Sequence, residues 1–165
     1  MSAVRRSFIS ELHDRAGKTV ILRGWVYRLR VLAKTTFIIL RDCTGETQCV
    51  ASSESLRDLH LKLDDAIEIH GAVRSDDRAK TGIEVEITST KILNRAANVL
   101  PFNSSSDITD VSTDIRLEYR PLALRNDWVG DVFRIQAAIL KSFRQYLTAK
   151  HFTEIVSSSR IRARF

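Results

Sequence analysis

Cysteine is scarce in this sequence: among 165 residues only Cys43 and Cys49 occur. No histidine or acidic cluster stands beside them to complete a zinc site, so they read as two reduced thiols of a cytosolic protein. Long hydrophobic runs are missing too. No apolar stretch approaches the roughly 20 residues a membrane-spanning helix needs. The first residues, MSAVRRSFISELHDR, carry charge where a secretory signal carries an apolar core. These absences predict a cytoplasmic protein with no membrane partner. Internal repeats and low-complexity tracts are absent. So are a glycine-rich phosphate loop, an HExxH motif and a nucleophile–histidine–acid pattern. The histidines, His13, His60, His70 and His151, are scattered. No metal site and no catalytic residue is therefore assigned.

What is present is an ordinary globular composition, 44% hydrophobic and 28% charged, with a net charge of +6. The charge is unevenly placed. Residues 5–41 hold nine basic side chains against two acidic ones, a local excess of +7, and the rest of the chain is close to neutral. A concentrated positive field attracts phosphates. An ordinary solvated basic surface is the alternative on charge alone.

Alternating polarity marks the strands. Thr19 to Arg30 reads as a long strand with a bend or bulge at Gly24. Thr36–Asp42 (TFIILRD) is a second. DCTGE closes a turn in which Gly45 suits a positive φ, and Thr47–Ala51 is a third strand. Ser52 and Ser53 precede ESLRDLHLKL, whose Leu56, Leu59 and Leu63 recur at helical spacing behind a serine N-cap. His60 falls on this short helix. Ala66–Arg74 and Ile83–Leu93 alternate at period two as strands four and five, His70 lying in the fourth. Three strands, a short helix and two more strands is the order of the five-stranded OB-fold barrel, which binds nucleic acid on the face of its second and third strands. Another small barrel or a sandwich is the alternative from pattern alone. Residues 94–115 read as a connector with little core of its own. From Val129 to Lys150, Val132, Phe133, Ile139, Leu140, Phe143 and Leu147 form one apolar helical stripe. Phe152–Val156 is a further candidate strand, and the basic tail SSSRIRARF is expected to fray.

Period two places Phe37, Ile39 and Arg41 on one face of the second strand and Ile38 and Leu40 on the other. With Ile38 and Leu40 inward, Phe37 and Arg41 face out. An outward ring beside a positive strand is a stacking platform for an unpaired base, a contact of about 1–3 kcal/mol. Gln48 on the next strand offers a donor and an acceptor together, enough to read a base edge. Arg28 and Arg30 share a face and suit phosphates or stacking. Singly, each has a plainer reading: Phe37 as core, Gln48 as a solvated strand residue, Arg30 as a surface cation. The signal lies in the combination.

The segment RSFISEL…GKTVILRGWVYRLRVLAKTTFIILRDCTGETQCV resembles the N-terminal anticodon-binding domain of class IIb aminoacyl-tRNA synthetases. RLEYRPLALRN and FRIQAAILKSFRQYLTAKHFTEI resemble the start of the catalytic domain of the aspartyl enzymes, archaeal type, including the motif 1 helix of their dimer interface. The resemblance implies the domains 1–95 (anticodon-binding OB fold), 96–126 (hinge) and 127–165 (start of a catalytic domain). It implies that Phe37 stacks on a central uridine of the anticodon loop, that Gln48 reads that base, and that Arg30 contacts the anticodon. It also implies a tRNA partner and a homodimer through the motif 1 helix.

The departures are as specific. The characteristic proline that ends motif 1 is missing from FTEIVSSSRIRARF. Motifs 2 and 3, with which the full-length family binds ATP and Mg, have no counterpart. The resemblance thus implies the N-terminal portion of an aspartyl-tRNA synthetase, needing no cofactor and charging no tRNA by itself. A stand-alone OB-fold binding module, a regulatory paralogue of the synthetase and a protein-interaction fragment remain as alternatives.

Overall fold

The computed structural model describes residues 5–155 except 78, 80, 97–99 and 103–106. It contains two compact units, Met1–Tyr119 and Arg120–Phe165.

The first unit is built on five strands, β1 (Thr19–Val31), β2 (Thr35–Arg41), β3 (Glu46–Ser52), β4 (Ala66–Ser75) and β5 (Ile83–Asn94). They close into a barrel in the order β1-β2-β3-β5-β4, with β3 and β5 paired in parallel and every other pair antiparallel. This is the OB fold expected from the element order. Alternation decides the core. Val20, Leu22 and Val26 of β1, Ile38 and Leu40 of β2, Cys49 of β3, Ile67 and Ile69 of β4 and Val85 of β5 have no solvent exposure. Each fully buried aliphatic side chain stabilises the fold by about 1.5–3 kcal/mol. Leu12 and Ile9, from two short 3₁₀ turns ahead of β1, join the same core.

The distortion of β1 lies three residues beyond the expected place. Gly24 is needed for close approach: a Cβ there would stand 2.4 Å from the carbonyl oxygen of Arg41. The ladder to β2 slips between Val26 and Arg28, leaving Tyr27 as the extra, bulged residue. The β2–β3 turn has the expected positive φ at Gly45, +157°, and is fastened by Asp42. The Asp42 carboxylate accepts from Thr44 N at 2.7 Å, Thr44 Oγ1 at 2.6 Å and Gly45 N at 3.2 Å, and also ties Ile9 N at 3.0 Å.

The helix between β3 and β4 is shorter than its leucine spacing suggests. α1 spans Ser53–Arg57, capped by the Ser52 hydroxyl, which accepts from Glu54 N. His60 lies beyond it with φ +44°, and Asp64 follows with φ +64°, so the helix cannot continue. Leu56 is buried and Leu59 packs on the core from irregular backbone, whereas Leu63 is exposed. The segment is fastened elsewhere. Asp65, with no exposure, accepts from Lys62 N, Ala96 N and the Arg95 guanidinium at 2.9–3.0 Å. Arg95 also donates to the carbonyls of Leu59 and His60.

After β5, a 3₁₀ turn at Ile108–Asp110 and α2 (Thr113–Glu118) follow. In the second unit, α3 (Arg120–Ala123) precedes α4 (Asp127–Ala149), whose N-terminus is capped by the Asn126 side chain. α4 buries no residue. The expected strand at Phe152–Val156 does not form over residues 152–155; Val156 and the basic tail lie outside the described residues.

Candidate nucleic-acid interface

On the outside of the barrel, β1, β2, β3 and β5 present two rows of register partners. One row runs Arg28, Ile39, Gln48, Glu84, and the other Arg30, Phe37, Val50, Glu86. The bulge makes this possible. Val26 pairs with the inward Leu40, and strict alternation from Val26 would turn Arg28 and Arg30 toward the core. With Tyr27 taken out of the ladder, Arg28 pairs with the outward Ile39 and Arg30 with Phe37.

An open cleft of about 520 Å³ lies over these rows, lined by Tyr27, Arg28, Leu29, Arg30, Phe37, Ile39, Gln48 and Leu63. All four residues singled out in the sequence therefore meet in one place. Phe37 is half-buried, lies outside the core cluster and lines the cleft. Arg28 and Arg30 are exposed. Gln48 is half-buried and donates from Nε2 to Glu84 Oε2 at 3.1 Å. Arg41 is the exception to the expected outward set. It is only 8% exposed, and its guanidinium carbon lies 4.9 Å from the centre of the Tyr27 ring. The same ring stands 5.4 Å from the guanidinium of Arg28.

Three contributors carried no signal that could be read beforehand. Tyr27 enters through the bulge, which leaves no mark in the residue type. Leu63 enters because α1 ends early. Glu84 enters through the parallel β3–β5 pairing, which brings together residues 36 apart. A neighbouring effect is visible below the face: burial, and then the Glu84 charge, push the Cys49 thiol far above its ordinary range.

The chemistry of the cleft is specific in kind. Aromatic and aliphatic side chains offer stacking and apolar surface, one amide offers paired donor and acceptor, and two arginines supply positive charge. Such a set suits a planar, uncharged heterocycle attached to an anionic backbone. Among the described residues, no group of three or more His, Cys, Asp or Glu could hold a metal ion, and no helix is long and apolar enough to cross a membrane.

Comparison with known proteins points the same way. The tRNA anti-codon family model, an OB-fold nucleic acid binding domain, matches residues 20–93. The chain is 32% identical over 155 residues to the aspartate–tRNA(Asp/Asn) ligase of Deinococcus radiodurans, covering 93% of this chain and 34% of that protein. It is 37% identical over 155 residues to the corresponding ligase of Sulfurisphaera tokodaii, covering 92% and 36%. Among solved structures, the aspartyl tRNA synthetase from Entamoeba histolytica superposes with a TM-score of 0.82 at 25% identity, covering 98% of this chain and 41% of that one. The chain spans about a third of the length of the curated relatives it matches.

Proposed function

We propose that this chain, whose residues 20–93 match the tRNA anti-codon family model and which is 32–37% identical to aspartate–tRNA ligases along most of its length, binds the anticodon loop of a tRNA. Phe37 stacks on the central base, Gln48 pairs with its edge, and Arg28 and Arg30 hold the adjoining phosphates. The observation that carries this is the cleft itself, which collects these four side chains on one outer face. The ligase activity is named for relatives of which this chain spans about a third.

The test is a fluorescence titration of a labelled anticodon stem-loop with uridine at its centre. Phe37→Ala should lose about 1–3 kcal/mol of binding, and wild-type affinity should fall steeply with salt as phosphate contacts are screened. Equal binding by wild type and variant would remove Phe37 from the site. Displacement of the stem-loop by poly-U or single-stranded DNA at equal concentration would favour a generic single-strand binder instead.

α4 suggests a second copy of the chain as a further partner. Val132, Phe133, Ile139, Leu140 and Phe143 are between 38% and 63% exposed along it, an apolar stripe of the kind that marks association surfaces. Light scattering after size-exclusion chromatography should give a dimer mass. A monomer at micromolar concentration would count against it.

A further inference from the structure

Residues 5–41 hold nine basic side chains, and two of them, Arg28 and Arg30, line the cleft. Arg5, Arg6, Arg15, Lys18 and Arg23 precede the cleft residues and are all exposed. Arg6 and Arg23 are held side by side. Arg6 is the bridge partner of Ile21 at the start of β1. Its guanidinium lies 4.7 Å from the centre of the Phe8 ring and donates to the Arg23 carbonyl oxygen at 3.5 Å. Arg23 in turn donates from Nε to Glu68 Oε2 at 2.6 Å, and His70 Nε2 meets the other oxygen of that carboxylate at 3.1 Å.

The Arg23–Glu68 pair is unevenly buried. The Glu68 side chain is 13% exposed and the Arg23 side chain 51%. Glu68 engages Nε, the nitrogen at the stem of the guanidinium rather than at its forked end. A planar fork fixed at its stem is preorganised for a phosphate, which it takes through two parallel hydrogen bonds. Fixing the side chain beforehand reduces the entropy lost on binding. Lys91, the register partner of Glu68 on β5, is exposed as well. Against the Glu68 carboxylate stand three exposed cations, Arg6, Arg23 and Lys91, a balance that favours an anion.

Resting on the anticodon-binding reading above, we infer that Arg6 and Arg23 form a second phosphate-binding site, which takes the backbone of the RNA stem while the cleft takes the loop. The link is β1 itself. Arg23 and Arg28 lie on this one strand, no more than about 17 Å apart at the usual rise per residue, so one folded RNA spans both. The chemistry divides in the same way. The ring and the amide that suit an unpaired base lie in the cleft, whereas the Arg6–Arg23 patch presents guanidinium groups to a backbone whose bases are already paired.

The experiment titrates the full chain over a range of salt with a complete anticodon stem-loop and with the same loop nucleotides as a single strand. It compares wild type, Arg6→Ala, Arg23→Ala and the double variant. Arg6→Ala leaves the Arg23–Glu68 pair in place, so its effect is independent of any loss of stability caused by unpairing Glu68. On the stem-loop, each single variant is expected to bind more weakly and to lower the slope of log affinity against log salt by about one, and the double variant by about two. On the single-stranded loop, affinity and slope should match wild type. A double variant that keeps the wild-type slope on the stem-loop overturns the second site and leaves the anticodon reading standing. Equal losses on the two RNAs do the same, because they place the arginines against the loop. A wild-type chain that binds neither RNA overturns the anticodon reading and this inference together.

Discussion

Arg28 lies opposite Ile39 although Val26, two residues earlier, lies opposite Leu40. Three residues of β1 thus span two of β2, and the odd one, Tyr27, turns the positive end of the strand to the outside. The interface depends on this one-residue slip, because both arginines would otherwise point at Ile38 and Leu40.

Tyr27 itself should be measurable. Its ring stands by the guanidinium groups of the buried Arg41 and of Arg28. Tyr27→Ala is expected to lower stability by about 1–2 kcal/mol, the size of a partly desolvated cation–π contact. It should also weaken stem-loop binding. Tyr27→Phe keeps the ring and should match wild type in both urea denaturation and titration. An alanine variant as stable as wild type would show that the ring does not support Arg41.

The Arg95–Asp65 pair fastens the 59–65 segment to the end of β5. Arg95→Ala leaves a fully buried carboxylate without its cation and frees the carbonyls of Leu59 and His60. A cost of about 1–3 kcal/mol follows from leaving such groups unpaired. The urea midpoint should fall with an unchanged slope. An unmoved midpoint would mean that the backbone donors of Lys62 and Ala96 satisfy Asp65 unaided.

Acid should act through Glu68. Hydrogen bonds from His70 and then Arg23 hold its carboxyl below the ordinary value of 4.5. A group whose folded value is lowered stabilises the fold above its unfolded value and loses that contribution as pH falls through the folded one. Stability should therefore decline as pH drops below about 4.5, and Glu68→Gln should flatten that part of the profile. Identical profiles for the two proteins between pH 5 and the acid limit would contradict it.

Much of the barrel was legible because half-buried strands advertise themselves by alternation: Ile38 and Leu40 in, Phe37 and Ile39 out, with partners following in register. Gly24 misled because a bulge and a close backbone approach both select glycine, and here the second reason holds. The helix was overextended because Leu56, Leu59 and Leu63 keep helical spacing, while the left-handed backbone at His60 that ends it has no signature in the residue type. At the site, Phe37, Gln48, Arg28 and Arg30 were readable from local spacing. Tyr27 and Glu84 were not, since one depends on a register slip and the other on which distant strand closes the barrel.

Coupling between the Phe37 ring and the central base is the claim on which the functional account rests. A double-mutant cycle measures it: wild type and Phe37→Ala, each titrated with the intact stem-loop and with one lacking only the central base. Removing the base should cost wild type about 1–3 kcal/mol and the variant almost nothing, since the stacking partner is already gone. Equal losses in the two proteins would show that the ring and the base never meet.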